Sequence, residues 1–411
     1  MHIQPILAAL RRHKAGTVLI ALQIALTLAI VCNALFLIHQ RLSHLNESSG
    51  VDESDLFVIR NQWGEQYSTQ QAVEHIQQDI VALRQLPSVQ DVSASNSYPM
   101  RGVSWDNWIT MKPDQIGHTS DAAYYTGDAD FLRTLGVKLI AGRDFRPEEV
   151  QNMGLRQNVE TPVAIITKAM ADKLFPNGNA LGNTFYAMTS KPITVIGIVD
   201  VLHRGDVSTW SIKYAGESMV VPVRLAVPYG LYYLVRAKPG QLDAAMREAP
   251  KALFAENRMR MIDPKDGLLS FTEIRRRAFE SDRGMAVLMS IICVVLLAIT
   301  AAGIVGLTSF WVGQRRRQIG VRRALGATRR DILNYFMTEN LLISLGGVAV
   351  GVLLAVGLNL WLVTHFSALK LLPMTYLFGG IVILLLLGQG AVFAPALRAS
   401  RVPPIEATRP A

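Results

Sequence analysis

The chain has 411 residues, half of them hydrophobic and 18% charged, with a formal charge of +9 and only two cysteines. This composition excludes a disordered chain and a small disulfide-stapled secreted domain. A nucleic-acid surface is excluded by where the charge sits: Arg11, Arg12 and Lys14, seven arginines within 315–330, and Arg398, Arg401 and Arg409 carry the excess, whereas 39–284 has 27 Lys/Arg against 29 Asp/Glu.

In chain order, residues 1–15 read as a basic cytoplasmic amino-terminal helix, followed by an apolar run at 16–38. About 20 apolar residues cross a bilayer as helix, so this run spans. It is too long for the core of a signal peptide and lacks a small-x-small cleavage site before His39, which makes it a retained anchor. Leu42 and Leu45 continue the helix outward as a stalk to about residue 50.

Residues 51–270 then form a separate domain. Residues 55–61 read as a strand, 70–86 as a helix with Val73, Ile76, Ile80 and Leu83 on one face, and 89–95 as a second strand. This β-α-β unit has a later counterpart in a strand at 231–237, a helix presenting Leu242, Ala245, Met246, Ala249 and Leu253, and a strand at 259–262. The pattern predicts an α/β subdomain built from 51–97 and 231–270, interrupted by a strand-rich insertion at 98–230. Within the insertion, 162–167 and 193–202 read as strands, with a helix at 168–175 and the turn Pro176-Asn177-Gly178-Asn179 between them. Both cysteines, Cys32 and Cys293, fall in apolar runs, so no disulfide is available to this domain and its own core must hold it.

Ser270 and Glu273 have capping-box spacing, which starts a helix that should continue unbroken through Arg275, Arg276 and Arg277 into the apolar run 285–312. Segment 271–312 is therefore a stalk and second spanning helix, a stiff lever if continuous. The hinge 313–334 follows, then spanning runs 336–363 (within segment 335–363) and 376–397, then the tail 398–411. Four crossings return the chain to its starting side. Arginine-rich flanks stay inside, which places both termini and the hinge in the cytoplasm and 51–270 outside it. Gly303 with Gly306, Gly347 with Gly351, and Gly390 with Ala394 would let the helices approach closely.

The hinge reads as helix, break, helix. Gly326 suits a left-handed closing residue, Thr328 and Asp331 suit a cap for the next helix, and Arg322, Arg323, Arg329 and Arg330 would project into the cytoplasm. Such arginines either enforce orientation alone or also form a contact surface. Glu339, near the inner end of the third run, is compatible with a functional membrane acid or with a structural anion at a helix start.

No catalytic or metal constellation emerges. The eight histidines include no His-Glu-x-x-His, and Glu148-Glu149 reads as a solvated pair at a turn. No Gly-x-x-x-x-Gly-Lys-[Ser/Thr] loop is present: the cluster from Gly178 to Gly182 runs into Asn183-Thr184 without the lysine.

The order of residues closely resembles the FtsX-like permease family of ATP-binding-cassette systems, in particular its MacB-like branch with a large periplasmic core domain. The hinge at 315–327 follows that family's Arg-x-x-Glu-Ile-Gly-[Ile/Val]-Arg-x-Ala-Leu-Gly-Ala pattern, with Gln318 in place of the usual acid. Phe131-Leu132 with Leu135-Gly136, Ala141 to Phe145, Leu174-Phe175-Pro176, Leu181-Gly182, Val195 to Val199, and the ending Pro395-Ala396 through Arg401, Pro404 and Ala407 are similar as well. The resemblance implies an integral membrane α-helical protein with four transmembrane helices and an α+β extracytoplasmic domain. It makes the hinge the coupling helix that sits in a groove of an ATPase subunit, and that role carries to Gly320, Arg322, Arg323, Leu325, Gly326, Thr328 and Arg329.

With no cofactor in this chain, ATP and Mg would be bound by the partner ATPase. The implied machine is a dimer of permeases in the bacterial inner membrane. It would convert ATP hydrolysis into movement of periplasmic domains (mechanotransmission) and export cargo with a periplasmic adaptor and a TolC-like outer-membrane protein. Two other readings stay open: an FtsX-like regulator of a cell-wall hydrolase, and an ATP-independent membrane receptor.

Overall fold

The computed structural model describes residues 14–65, 67–154, 160–187, 191–208, 212–227, 231–365 and 371–403. Two compact units emerge: a helical one, Met1–Asn46 with Ser281–Ala411, and a globular one, Glu47–Glu280. The helix expected over 1–15 falls almost wholly outside the described residues, as does the end of the 398–411 tail.

Helix α1 (Lys14–Leu45) leads into the globular unit, where β1 (Leu56–Trp63), α2 (Thr69–Arg84) and β2 (Val89–Ser95) follow. Ser68 starts α2: its hydroxyl accepts from the Gln71 N–H while the Gln71 side chain accepts from the Ser68 N–H, so two orphan donors are satisfied reciprocally. Val73, Ile76, Ile80 and Leu83 are buried on one face, as their spacing requires.

The insertion contributes β3 (Asp106–Thr110), β4 (Ser120–Gly127), α3 (Phe131–Leu135), β5 (Leu139–Gly142), β6 (Gln151–Gly154), β7 (Val163–Thr167), α4 (Lys168–Leu174), β8 (Thr184–Ala187), β9 (Ile193–Val199) and β10 (Ser218–Ala226). The strand expected to reach residue 202 stops at Val199, because the Asp200 N–H donates to the Lys138 carbonyl and the His203 N–H to that of Ser49. The strands lie in the order β4-β3-β8-β9-β7-β10, and β10 pairs again with β4, closing the order into a ring with few free edges.

The chain returns through β11 (Leu231–Ala237), α5 (Leu242–Glu256), β12 (Arg260–Met261) and β13 (Leu268–Ser270). β11 inserts between β1 and β2 and is antiparallel to both, while β12 and β13 share the other edge of β1. The two β-α-β units are thus split and interleaved in one sheet. The helices and sheet of this subdomain enclose a polar knot: Arg260 donates to both oxygens of Asp79 at 2.6 and 3.0 Å and to Asn61 Oδ1 at 2.7 Å, and the Tyr233 hydroxyl donates to Asp79 at 2.5 Å. Burial raises the Tyr233 phenol well above its ordinary value, so it stays a donor to the carboxylate.

Helix α6 (Phe271–Ala278) starts at Ser270, whose hydroxyl accepts from the Glu273 N–H at 3.3 Å. The reciprocal half of the expected box is missing because the Glu273 carboxylate is held by Arg276 and Arg277, which push its pKa down to about 2. Nor is the lever continuous. Phe279, with ψ near 14°, separates α6 from α7 (Glu280–Gln314). Helices α8 (Arg316–Ala324), α9 (Arg329–His365) and α10 (Met374–Ser400) complete the chain.

Helices α1, α7, α9 and α10 are each long and apolar enough to cross a membrane. α1 packs against α9 and α10, which also pack against each other. At Gly347 an added Cβ would lie 2.7 Å from the Ala21 carbonyl oxygen, and at Gly351 it would lie 3.0 Å from Ala25 Cα. Gly306 and Gly390, expected to serve the same purpose, face open space, and Gly380 and Gly388 lie against Cys32 and Ser344 instead. Few polar groups cross the helix contacts: the Thr27 and Thr300 hydroxyls lie 2.8 Å apart, and Asn33 donates to the Ala355 carbonyl and accepts from Asn359. At their outer ends α1 and α7 are tied by Arg41 and His44, both on Asp282.

Because a rigid backbone oxygen fills the space, Gly347→Ala should destabilise the helical unit by about 1–3 kcal/mol, whereas Gly306→Ala should be neutral. Thermal unfolding of the detergent-solubilised chain distinguishes the two.

Candidate functional site

The hinge is built from both of its ends. Arg315 stands between α7 and α8, and α8 turns Ile319 and Gly320 inward while Arg316, Arg317 and Val321 stay exposed. Gly326, at φ +102°, ends it. The left-handed backbone lets the Gly326 N–H donate to the Arg323 carbonyl and the Ala327 N–H to that of Arg322. Thr328 and Asp331 then cap α9 reciprocally: the Thr328 N–H donates to Asp331 Oδ2 at 2.9 Å, and the Asp331 N–H to Thr328 Oγ1 at 3.2 Å. Thr328→Val should loosen this turn at a cost of about 1 kcal/mol, read as faster amide exchange at residues 328–331 with the spanning helices unchanged.

Three side chains lock the elbow to the helices around it. Arg315 Nη1 donates to both oxygens of Glu339 at 3.0 and 3.1 Å, and the acid is buried. Arg323 Nη1 donates to the carbonyls of Ser400 and Val402, at 3.2 and 3.0 Å, and so caps the last turn of α10. The Arg322 guanidinium lies 4.8 Å from the centre of the Tyr335 ring. Of the four arginines expected to project, Arg322, Arg329 and Arg330 are exposed, while Arg323 is half-buried in this internal bond.

Gln318 lines a gap of about 20 Å³ with Arg315, Arg322 and Tyr335, room for about one water. The acid that meets Arg315 is Glu339, from the next helix.

What remains outward is an apolar tip in a cationic rim. Leu325 is 83% exposed and Val321 43%, with Arg316, Arg317, Arg329 and Arg330 around them in the chain. Among the described residues no group of His, Cys, Asp or Glu could hold a metal ion. Such a surface can dock into an apolar groove with an acidic margin.

Residues 17–253, more than half of the chain, match the MacB-like periplasmic core domain, and residues 290–404 match the FtsX-like permease C-terminal family. The chain belongs to the MacB/FtsX-like family of ABC transporter permeases. It is 22% identical over 422 residues to an uncharacterized ABC transporter permease, YvrN, of Bacillus subtilis, with 99% of each chain covered. It is 26% identical over 406 residues to a macrolide export ATP-binding/permease protein, MacB 1/2, of Paracoccus denitrificans, covering 98% of this chain and 57% of that protein. A MacB of Chromobacterium violaceum is 27% identical over 294 residues, 68% of this chain and 42% of that protein. The permease thus spans about half the length of these MacB relatives. The crystal structure of the periplasmic region of MacB from Actinobacillus actinomycetemcomitans aligns at 14% identity over 57% of this chain and 97% of that one, with a TM-score of 0.35.

In the permease the elbow belongs to the part shared with FtsX-like proteins. Its locks were the part that sequence reasoning missed. Glu339 was visible as the lone acid of the third apolar run, but its partner Arg315 lies 24 residues away, and Arg323 reaches carbonyls that no side-chain pattern marks.

Proposed function

We propose that this permease is a mechanotransmission subunit. A separate ATPase chain, which binds ATP and Mg, docks on the elbow; its closure moves the elbow, the spanning helices and the extracytoplasmic domain. The observation that carries this reading is the exposed Leu325 and Val321 set in an arginine rim on an elbow fastened at Arg315 and Arg323. A contact surface held this way passes on a push instead of absorbing it, since each lock would have to break before the elbow moved alone.

The arginine-rich flanks support an inner-membrane protein with both termini and the elbow cytoplasmic. The exposed apolar side chains Val287, Ile291, Val294 and Val295 along α7 suit a second permease in a homodimer or heterodimer, surrounded by lipid. The likeness to proteins named for macrolide export favours efflux through a periplasmic adaptor and a TolC-like duct over regulation of a cell-wall hydrolase.

The test has two arms. Ala324→Cys, at an exposed position against buried native cysteines, should be labelled by an impermeant thiol reagent only after the inner membrane is opened. Copurification from detergent should bring down an ATPase and an adaptor; a hydrolase in place of the adaptor would support the regulatory role, and labelling of intact spheroplasts would overturn the orientation.

A further inference from the structure

A cleft of about 170 Å³ opens in the globular unit where the split sheet meets the inserted strands. Arg60 and Asn61 near the end of β1, Tyr232 on β11, and Arg101 and Trp105 before β3 line it, with Leu225 and Val227 from the end of β10 beneath. No aspartate or glutamate lines it.

One donor in this cleft lacks an acceptor among the described residues: Arg101 Nη1 is buried and unpartnered, with its guanidinium 4.7 Å from the Tyr232 ring centre. The Asn61 side chain turns to the other face of the sheet, where its Oδ1 accepts from Arg260. Arg60, exposed in the same cleft, forms no ion pair among the described residues; Asp263, which feels its charge, already accepts N–H bonds from Lys265 and Asp266.

A buried donor left unmade is costly, so its persistence at the wall of a cavity suits an acceptor that arrives from outside. The planar guanidinium groups of Arg101 and Arg60 suit the paired oxygens of a carboxylate or phosphate. Gln62 and Asn96 add polar lining, and the aromatic wall is stiff: Tyr232 is braced edge-on by Tyr98 at 5.1 Å, and Trp105 by Tyr124 at 5.8 Å. A cavity of roughly 150 Å³ holds one benzene ring, so the space fits a charged head group with a ring or a short acyl segment.

We propose that this cleft binds an amphipathic anion, a carboxylate or phosphate carried on an aromatic or short acyl body. The inference is independent of export, since the cleft lies wholly within the globular unit and can serve cargo or an effector alike.

Titration calorimetry on the full chain in detergent tests it with phenyl phosphate, phenylacetate, benzyl alcohol and inorganic phosphate. Phenyl phosphate or phenylacetate should bind saturably, one per chain, at least tenfold tighter than the uncharged alcohol and tenfold tighter than inorganic phosphate. Arg101→Gln should weaken binding at least tenfold and Arg60→Gln several-fold, with melting unchanged for the exposed Arg60 variant, which decides the matter should Arg101→Gln fail to fold. A preference for dihexanoyl phosphatidate over both aryl acids assigns the head group to lipid, and the reverse to a soluble acid. No saturable binding, inorganic phosphate as tight as phenyl phosphate, or wild-type affinity in the folded variants would each overturn the proposal.

Discussion

Leu325→Asp should abolish stimulation of the partner ATPase, lowering it at least tenfold, while the chain still inserts and its four spanning helices stay intact. Leu325 sits after the last turn of α8, 83% exposed, with no role in the protein's own core. Burying a leucine in a partner's groove contributes about 1.5–3 kcal/mol, and an aspartate forced into the same place would lose that and carry an uncompensated charge into an apolar site. A tenfold change in affinity needs only about 1.4 kcal/mol. ATPase activity of the reconstituted complex reads the effect, with Leu325→Met as the control that should retain it. Arg323→Met offers a second readout: it leaves the outward rim in place but frees the end of α10, so the ATPase should still bind while its cycle no longer moves the helices. Wild-type stimulation in Leu325→Asp would remove the elbow from the coupling path.

The elements themselves could be read from the chain because the signals that set them are local. Apolar runs gave the four spanning helices, the spacing of Val73, Ile76, Ile80 and Leu83 gave α2, and Gly326 with Thr328 and Asp331 gave the turn of the elbow. What depends on pairing between distant segments was hidden. Nothing in β11 announces that it will enter between β1 and β2, and the ring of inserted strands closes through β10 and β4, which meet at positions such as Ser218 and Ala123.

The break at Phe279 was also invisible, since Glu273 through Ala278 holds no proline or glycine to mark a stop. For the glycines, composition could not say which way a helix is rotated. Gly347 meets α1, whereas Gly306, on a helix equally rich in small residues, meets nothing. The site followed the same division: the rim arginines stood out by composition, but the locks at Glu339 and at the last carbonyls of α10 exist only once three helices have come together.

The largest loss of stability should follow Arg260→Met, in the polar knot of the globular unit. The Arg260 and Asp79 side chains are 1% and 2% exposed, so removing the guanidinium would strand a carboxylate that keeps, among the described residues, only the Tyr233 hydroxyl as a donor. Breaking a buried pair on one side costs about 3–5 kcal/mol, which corresponds to a melting temperature lower by roughly 10 °C for a domain of this size. The double variant Arg260→Met with Asp79→Leu should recover only part of the loss, because the apolar pair needs no hydrogen bonds but leaves the buried Tyr233 hydroxyl and Asn61 Oδ1 without their partners. Melting of the detergent-solubilised chain, followed by tryptophan emission and by protease cleavage within residues 47–280, measures both. A loss below about 1 kcal/mol, the value expected of exposed pairs, would mean that water reaches Asp79. Should the loss be large, the knot also explains why the sheet keeps its interleaved order. Arg260 stands on the short strand that follows α5, and its bonds to Asp79 on α2 and Asn61 on β1 join the second β-α-β unit to the first, so the strands leading into α6 start from a fixed base.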